Sequence, residues 1–251
     1  MKFYIGFDRR ESEVFDVAVH SLKRHCPGVE VMPLVQDNLR AWKLYWREKD
    51  ERAATDFSLT RFLVPALTFY GELDEWAVFC DCDMLFTGDV ARILDEEKDS
   101  QWAVKVVKHD YTPVRYKMAG KTNHEYPRKN WSSFILFNCS HPSNRALTPN
   151  VVNSADPSWL HQFKWLRDEE IGSLNPMCNF LVGEYAAPDA NSSTITEPSG
   201  VTPTVLHFTL GIGPYEPSFP DYVAMWNHAA KLQLEDRFQE LRVHGRLVGL
   251  H

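Results

Sequence analysis

The feature that most constrains the fold of this chain is an apolar run that ends abruptly on two carboxylates. Residues 77–80 (Ala-Val-Phe-Cys), opened by Trp76, lead directly into Asp81-Cys82-Asp83. A short continuous apolar run is typical of a strand that is buried on both faces of a parallel sheet. Acidic residues just past such a strand lie at the carboxyl edge of the sheet, where open α/β sheets bind their ligands. The run therefore predicts a buried strand that delivers two acidic side chains to a ligand-binding edge.

The spacing of the two carboxylates suggests a site for a divalent cation. Mg²⁺ and Mn²⁺ prefer hard oxygen ligands, and Mg²⁺ is often held by one or two carboxylates together with substrate phosphates. The pair thus points to a nucleoside diphosphate bound through Mn²⁺ or Mg²⁺. A solvated turn is the alternative, because Asp is common in turns. A thiolate site at Cys80 and Cys82 would lack a second Cys/His cluster to complete it.

Charge and hydropathy exclude several classes of protein. The formal net charge is −7, and a chain without a basic excess is poorly suited to nucleic acid or to purely electrostatic docking on anionic lipid. No apolar stretch approaches the ~20 residues of a transmembrane helix, and the N-terminus lacks a signal-peptide core. The five cysteines have no C-x-x-C spacing, which favours a reducing compartment with Cys80 and Cys139 as core thiols. We expect a cytoplasmic protein, with peripheral contact to the inner membrane face left open.

Alternating strand and helix patterns predict one α/β domain over residues 1–251. Residues 2–7 predict a strand, residues 14–22 a helix and residues 29–35 a second strand, which together are typical of a parallel βαβ unit. The remaining predicted elements are a helix over 59–70 kinked or broken at Pro65, the strand ending at Asp81, a helix over 89–94, strands over 101–107 and 133–138, a helix over 159–167, a strand over 204–208 and a helix over 222–232. Long polar segments at 109–128 and 187–204 predict surface loops, one of which we expect to move over the ligand.

Four further motifs accompany the acidic pair. Residues 3–8 read Phe-Tyr-Ile-Gly-Phe-Asp, 60–63 Thr-Arg-Phe-Leu, 131–138 Trp-Ser-Ser-Phe-Ile-Leu-Phe-Asn, and 207–215 His-Phe-Thr-Leu-Gly-Ile-Gly-Pro-Tyr. With Asp81-Cys82-Asp83 they resemble GT-A-fold glycosyltransferases, closest in pattern to the retaining family 8 group that includes glycogenin and bacterial lipopolysaccharide galactosyl- and glucosyltransferases. The resemblance implies a Rossmann-like, mostly parallel central sheet flanked by helices. It also implies transfer of a sugar, with retention, from a nucleoside diphosphate sugar, UDP-sugar above all, to a glycan, lipid-linked or small-molecule hydroxyl acceptor.

The resemblance also assigns roles to individual residues. The metal ligands would be Asp83 and His207 directly and Asp81 in part through the ribose or a water. The donor-binding residues would be Phe7 and Asp8 near the nucleobase, Arg61 at the diphosphate or sugar, and Cys82. The catalytic set would be Arg61, Ser133 and Glu170.

Two departures from the family pattern concern the donor side. The lysine that usually contacts the diphosphate has no counterpart, because Gly213 precedes Pro214. Neutralisation of the diphosphate would then depend on the metal, Arg61 and the backbone N–H groups of Gly211 and Gly213. The family's Asp-Gln-Asp-x-Leu-Asn element is similar to residues 170–175, Glu-Ile-Gly-Ser-Leu-Asn. Glu170 would then face the transferred sugar, or act as the base of an inverting reaction, and the donor sugar stays open.

Each residue assignment has a simpler alternative. Asp8 could cap a turn, and His207 could be a hydrogen-bonded core histidine. Arg61 could pair with Asp56 or Glu72 at the surface, and Glu170 could belong to a solvated acidic face. The aromatic group Trp42, Tyr45 and Trp46 could form an acceptor or lipid-facing patch, or be buried.

Two other classes of protein are alternative interpretations of the whole chain. A sugar nucleotidyltransferase uses a related sheet, but it needs a Gly-rich loop after the first strand, and residues 7–11 (Phe-Asp-Arg-Arg-Glu) contain no glycine. An inert nucleotide- or sugar-binding module would share the same motifs without turnover. The sequence contains no G-x-S-x-G element and no P-loop, which disfavours a serine hydrolase and a P-loop nucleotidase.

Overall fold

A computed structural model describes residues 1–48, 55–69, 76–110, 126–184, 203–211 and 220–248. The strands are β1 (Lys2–Phe7), β2 (Glu30–Val35), β3 (Trp76–Cys80), β4 (Met84–Phe86), β5 (Val104–Val106), β6 (Phe134–Asn138), β7 (Ile171–Ser173), β8 (Phe180–Leu181) and β9 (Val205–His207). The α-helices are α1 (Ser12–His25), α2 (Gln36–Ala41), α3 (Val64–Phe69), α4 (Val90–Glu96), α5 (Pro149–Ser154), α6 (Pro157–His161) and α7 (Pro220–Val248). Short 3₁₀ turns occupy Arg9–Glu11, Thr60–Leu63, Trp131–Ser133, Pro142–Ala146, Asp168–Glu170 and Pro176–Cys178.

The central sheet has six strands in the order β2-β1-β3-β6-β5-β7. Strand β1 runs parallel to both β2 and β3, and β5 runs parallel to β7. Only β6 is reversed, since it pairs antiparallel with β3 and β5. The predicted parallel βαβ unit and the mostly parallel α/β sheet are therefore confirmed.

A second, three-stranded sheet in the order β4-β9-β8 lies immediately beyond the end of β3. Strand β9 pairs antiparallel with β4, with Met84 opposite His207, and parallel with β8. Helix α1 lies against β4 and against α7, where Nε2 of His20 is 2.9 Å from a carboxylate oxygen of Asp236. This small sheet brings the C-terminal part of the chain back to the residues that follow β3.

The central strands β3 and β6 are covered on both faces, whereas the edge strand β2 is mostly half-buried or exposed. In β3, residues 77–80 are fully buried, and every residue of β6 is buried. All five cysteines are free and buried, so the prediction of core thiols at Cys80 and Cys139 is confirmed. The continuous apolar runs in the sequence are explained by this two-sided burial.

Several predicted element boundaries were wrong. The helix predicted over 159–167 ends at His161, because Phe163 adopts a left-handed backbone conformation (φ 54°) that an α-helix does not continue through. The strand predicted over 101–107 is confined to β5. The helix predicted over 59–70 divides into the Thr60–Leu63 turn and α3, and Pro65 marks that break: it lies in the first turn of α3, where its missing N–H needs no partner. The final helix is longer than the predicted 222–232, because α7 extends from Pro220 to Val248.

The aromatic group after α2 divides between surface and core. Trp42 and Trp46 are 60% and 50% exposed, whereas Tyr45 is 6% exposed. Of the predicted loops 109–128 and 187–204, residues 111–125 and 187–202 lie outside the described residues. The expected movement of one loop over the ligand therefore stays a prediction. Among the helices that the structure describes, none is long and apolar enough to cross a membrane.

Candidate functional site

Three candidate metal ligands meet where β3 ends. Asp81 directly follows β3, Asp83 directly precedes β4, and β9 places His207 opposite Met84. One ligand atom from each of Asp81, Asp83 and His207 lies within 4.8 Å of the others. The Nε2 atom of His207 is 3.2 Å from a carboxylate oxygen of Asp83. The prediction that His207 lies beside the acidic pair is confirmed.

The chemistry and spacing of this cluster fit a divalent cation. Opposite ligands of a Mg²⁺ ion lie about 4.2 Å apart, twice the Mg–O distance, so a small adjustment would bring all three atoms onto one ion. Two carboxylates and one imidazole suit Mn²⁺ and are acceptable to Mg²⁺. His207 is buried, while both carboxylates are partly open to solvent, which leaves room for further oxygen ligands.

Arg61 holds the first carboxylate of the pair. Its Nη1 atom lies 2.9 Å from Oδ1 of Asp81 and donates a 2.7 Å hydrogen bond to the carbonyl of Ser132. The guanidinium also lies over the rings of Phe57 and Phe79, 5.6 and 4.7 Å from their centroids. Arg61 is buried in the Thr60–Leu63 turn, so it belongs to the site rather than to a surface ion pair.

Asp8 lies at the carboxyl end of β1 and is almost fully buried. Its carboxylate caps the Arg9–Glu11 turn and accepts hydrogen bonds from the backbone and guanidinium of Arg10 and from the backbone N–H of Asp56. Burial alone would raise the pKa of Asp8, but these hydrogen bonds outweigh it and lower the pKa. The capping role is therefore present, and the nucleobase role assigned to Asp8 and Phe7 stays a prediction.

Glu11 is a neighbour of the acidic pair that the sequence analysis did not single out. The thiol of Cys82 donates to its carboxylate at 3.3 Å. Burial, followed by the charge of Asp83, raises the pKa of Glu11 to about 7. Burial also raises the pKa of the Cys82 thiol far above its ordinary value, so Cys82 is a neutral hydrogen-bond donor and not a thiolate ligand.

A buried polar network lies behind His207. Asn179, immediately before β8, contacts His207, Ser133 and His109 through its side-chain amide. Ser133 also connects to the acidic pair, because its carbonyl accepts from the backbone N–H of Asp81 at 2.9 Å. Ser133 is one of the site residues predicted from the sequence, whereas Asn179 and His109 are not. The available signal was weak: a polar residue between the apolar residues Cys178 and Phe180.

The position of Glu170 corrects the expectation that it faces the transferred sugar. Glu170 precedes β7, and β7 runs parallel to β5, so Glu170 lies at the amino end of the sheet strands, opposite to the edge that carries Asp81. Its carboxylate accepts from the Ser143 hydroxyl at 2.6 Å and from the backbone N–H of Arg167 at 2.8 Å. These hydrogen bonds lower the pKa of Glu170 to about 2. Glu170 is a structural anion.

Glu170→Gln is expected to destabilise the protein at neutral pH and to lose this effect in acid. The folded-state pKa of about 2 lies below the ordinary value of 4.5, so ionised Glu170 stabilises the folded state above about pH 5. That stabilisation is lost as the pH falls from 4.5 toward 2. Urea midpoints should therefore differ between wild type and variant at pH 7 and converge near pH 2. Glu169→Gln, at an exposed neighbour, is the matched control, and identical midpoints at pH 7 would contradict the prediction.

Gly211 requires a second correction. Its backbone N–H donates to the carbonyl of Phe208 at 2.8 Å, closing a turn in which Gly211 has φ 111°. The N–H is therefore committed to the turn and is not available to a diphosphate. Gly213, the other proposed backbone donor, lies outside the described residues.

The fold is that of the GT-A glycosyltransferases. It is similar to glycosyltransferase GlyE of Streptococcus pneumoniae (TM-score 0.57, 14% identity, 95% of this chain) and to galactosyltransferase LgtC (TM-score 0.52, 12% identity, 92% of this chain and 95% of that one). It is also similar to mouse xyloside xylosyltransferase 1 (TM-score 0.50, 13% identity, 84% of this chain and 100% of that one). The chain spans 63% of GlyE.

One relative is close enough in sequence to define a family. The chain is 40% identical over 229 residues to protein CDI of Arabidopsis thaliana, covering 90% of this chain and 84% of that protein. The chain belongs to the family of protein CDI. No protein-family model matches the sequence.

Proposed function

We propose that this protein is a glycosyltransferase that moves a sugar from a nucleoside diphosphate sugar, with UDP as the preferred nucleotide, to a hydroxyl acceptor such as a glycan. The observation that carries the proposal is the convergence of Asp81, Asp83 and His207 at the carboxyl end of β3. This edge is where α/β sheets bind ligands. The structure of LgtC, which shares the fold, was determined with donor and acceptor sugar analogs.

In the proposed reaction, the bond between the sugar and the diphosphate breaks and negative charge grows on the departing diphosphate. Asp81, Asp83 and His207 would hold Mn²⁺ or Mg²⁺, which when bound would supply Lewis-acid stabilisation of that charge. Arg61 holds the Asp81 carboxylate in position through their ion pair. Its rigid guanidinium can also present a donor to a phosphate oxygen or to a sugar hydroxyl.

In this proposal, the residues that contact the donor sugar follow β7 in the chain and do not precede it. Leu174 donates its backbone N–H to Val106 at 2.8 Å and so continues from the carboxyl end of β7. The chain from Leu174 to Asn179 then leads to β8 beside His207. We propose that this segment lines the sugar, and that Ser133, which is buried with its hydroxyl donating to Asn130 and accepting from Asn179, supports the segment from inside the fold. Retention of configuration and membership of family 8 belong to the same proposal.

A donor screen tests the proposed activity. The purified protein is incubated with UDP-, GDP- and CMP-sugars and Mn²⁺, and hydrolysis of the donor is measured. We expect hydrolysis of a UDP-sugar, and we expect EDTA to abolish it. Calorimetric titration with UDP should show affinity at least tenfold weaker in EDTA than in Mn²⁺, about 1.4 kcal/mol. Equal UDP affinity in both buffers would remove the cation from the proposal.

An inert nucleotide-binding module is the second candidate, and specific observations favour it. Glu170 and the N–H of Gly211, two groups expected at the donor, are both committed to structural hydrogen bonds. The diphosphate-contacting lysine also has no counterpart. Cation-dependent UDP binding without hydrolysis of any UDP-sugar, and without transfer to a panel of hydroxyl acceptors, would support this candidate over the enzyme.

We further propose that residues 1–251 form one domain in a reducing, cytoplasmic compartment. The chain passes directly from β3 of the central sheet to β4 of the small sheet, and helix α1 packs against strands of both sheets, β1 and β4. The five free, buried thiols are compatible with an environment in which disulfides do not form.

A further inference from the structure

Asn179 contacts the side of the His207 ring that faces away from Asp83. Its Oδ1 atom is 2.9 Å from Nδ1 of His207, while Nε2 of the same ring is the atom 3.2 Å from Asp83. Asn179 and His207 are both buried, with exposures of 0% and 1%. A neutral imidazole carries one proton, and only the nitrogen without it can offer a lone pair. The proton position therefore decides whether His207 can act as a ligand through Nε2.

The orientation of the Asn179 amide follows from a backbone carbonyl two hydrogen bonds away. The hydroxyl of Ser133 donates to the carbonyl of Asn130 at 2.7 Å. A carbonyl only accepts, so the single hydroxyl proton of Ser133 is committed there. The Ser133 oxygen must then accept from Asn179, which lies 2.9 Å away. This contact places the NH₂ group of Asn179 toward Ser133 and its oxygen toward His207.

A second contact supports the same orientation. The NH₂ group of Asn179 also lies 3.1 Å from Nε2 of His109. It can donate its second proton to this nitrogen when the nitrogen carries no proton of its own. Burial, together with the proximity of His207, lowers the pKa of His109 to about 3, so His109 is neutral at physiological pH. Reversing the amide would set its oxygen against the Ser133 lone pairs.

We propose that Asn179 is a positioning residue that keeps a proton on Nδ1 of His207 and so directs the Nε2 lone pair toward Asp83 and Asp81. The part of this inference that concerns cation binding rests on the proposed function. Without the Asn179 oxygen, the Asp83 carboxylate at 3.2 Å would attract the imidazole proton to Nε2, where it would block the lone pair. Partners of this kind typically contribute 10- to 100-fold to metal affinity.

The proton position can be measured without any metal or substrate. Two-bond ¹H–¹⁵N NMR spectra of the metal-free protein, recorded at a pH where His207 is neutral, distinguish an Nδ1–H from an Nε2–H ring. The His207 signals are identified by their absence in His207→Gln. We expect Nδ1–H in the wild type and in Asn179→Asp, which keeps an acceptor oxygen, and Nε2–H in Asn179→Leu. An Nε2–H ring in the wild type would overturn the proposal.

Mn²⁺ affinity provides the second measurement, from the electron paramagnetic resonance signal of free Mn²⁺. Asn179→Leu should bind at least tenfold more weakly than the wild type, and Asn179→Asp should stay within a few-fold. The control is Asn150→Ala, at an exposed asparagine of α5, and it should bind Mn²⁺ as the wild type does. Circular dichroism confirms that each variant is folded.

The two measurements separate this inference from the proposed function. Equal Mn²⁺ affinity in the wild type and in a folded Asn179→Leu variant would overturn the positioning role. If the wild type binds no Mn²⁺, the cation in the proposed function is wrong, and the NMR result alone then decides the position of the His207 proton.

Discussion

Replacing Asp83 with Asn is expected to reduce hydrolysis of the donor by about 10²- to 10³-fold. Asp83 offers a negatively charged ligand atom within 4.8 Å of those of Asp81 and His207, and the amide that replaces it carries no charge. Loss of one group that stabilises charge in a transition state costs about 2.7–4 kcal/mol in activation free energy. The comparison is of kcat/KM for UDP-sugar hydrolysis in saturating Mn²⁺, with Mn²⁺ affinity measured by calorimetry.

The same substitution should not destabilise the metal-free protein. Burial, followed by the charge of Asp83, raises the pKa of Glu11 to about 7, and the second of these causes shows that the carboxylates of the site repel one another. Removing one charge relieves that repulsion, so the thermal midpoint of Asp83→Asn in EDTA should equal or exceed that of the wild type. Stabilisation by Mn²⁺, by contrast, should be lost.

A matched control removes a carboxylate that lies away from the site. Asp95 on α4 is exposed and pairs with Lys98 at 2.7 Å, and Asp95→Asn should keep donor hydrolysis and Mn²⁺ affinity unchanged. If the Asp83→Asn variant hydrolyses the donor at the wild-type rate, Asp83 takes no part in the reaction. A lowered thermal midpoint in EDTA would mean that its effect comes from unfolding.

The strand and its acidic pair were predictable because burial on both faces leaves a direct mark in the sequence. A strand covered on both sides admits almost only apolar residues, so the change to Asp81 marks the edge of the sheet. The parallel pairing of β1 with β2 was predictable because parallel strands need a crossover connection, usually a helix, and the helical pattern of α1 lies between these two strands. His207 was reached only through the family resemblance, since its distance along the chain gives no local signal.

The corrected residue Glu170 shows what a motif cannot supply. A motif fixes a position in the sequence, but it does not state on which side of a short strand the residue lies. Strand β7 has three residues, so Glu170 and Leu174 lie at opposite edges of the sheet although only four positions separate them. The edge that faces Asp81 belongs to Leu174 and the residues after it.

The missed residues show a different limit. Asn179 and His109 are residue types that are usually exposed or only intermediate in burial, and neither belongs to a repeating apolar pattern. Their importance comes from hydrogen bonds between distant segments, which join residues 109, 133, 179 and 207. Such a network is a property of the folded chain, and a single sequence does not encode it locally.

Replacing Arg61 with Ala is expected to lower the free energy of unfolding by about 3 kcal/mol, the lower end of the usual effect of removing one partner of a buried ion pair, because Asp81 is partly open to solvent. The Arg61 and Asp81 side chains are 6% and 16% exposed, and their charged atoms are 2.9 Å apart. The substitution removes the guanidinium charge beside the Asp81 carboxylate and also removes the donor to the Ser132 carbonyl. Urea unfolding at pH 7 measures the change. Arg92→Ala, which breaks an exposed pair with Glu96, is the control and should cost less than about 1 kcal/mol.

A double variant tests whether loss of the ion pair causes that destabilisation. Asp81→Asn in the Arg61→Ala background removes the negative charge that Arg61 balanced, so it should recover part of the lost stability, whereas cavity formation alone would leave the double variant no more stable than Arg61→Ala. Arg61→Lys should fall between the wild type and Arg61→Ala, because an ammonium keeps the charge but lacks the planar fork that reaches Asp81 and Ser132 and lies over Phe79. If Arg61→Ala unfolds at the same urea concentration as Arg92→Ala, the ion pair does not hold the site together, and Arg61 is retained for contact with the donor instead.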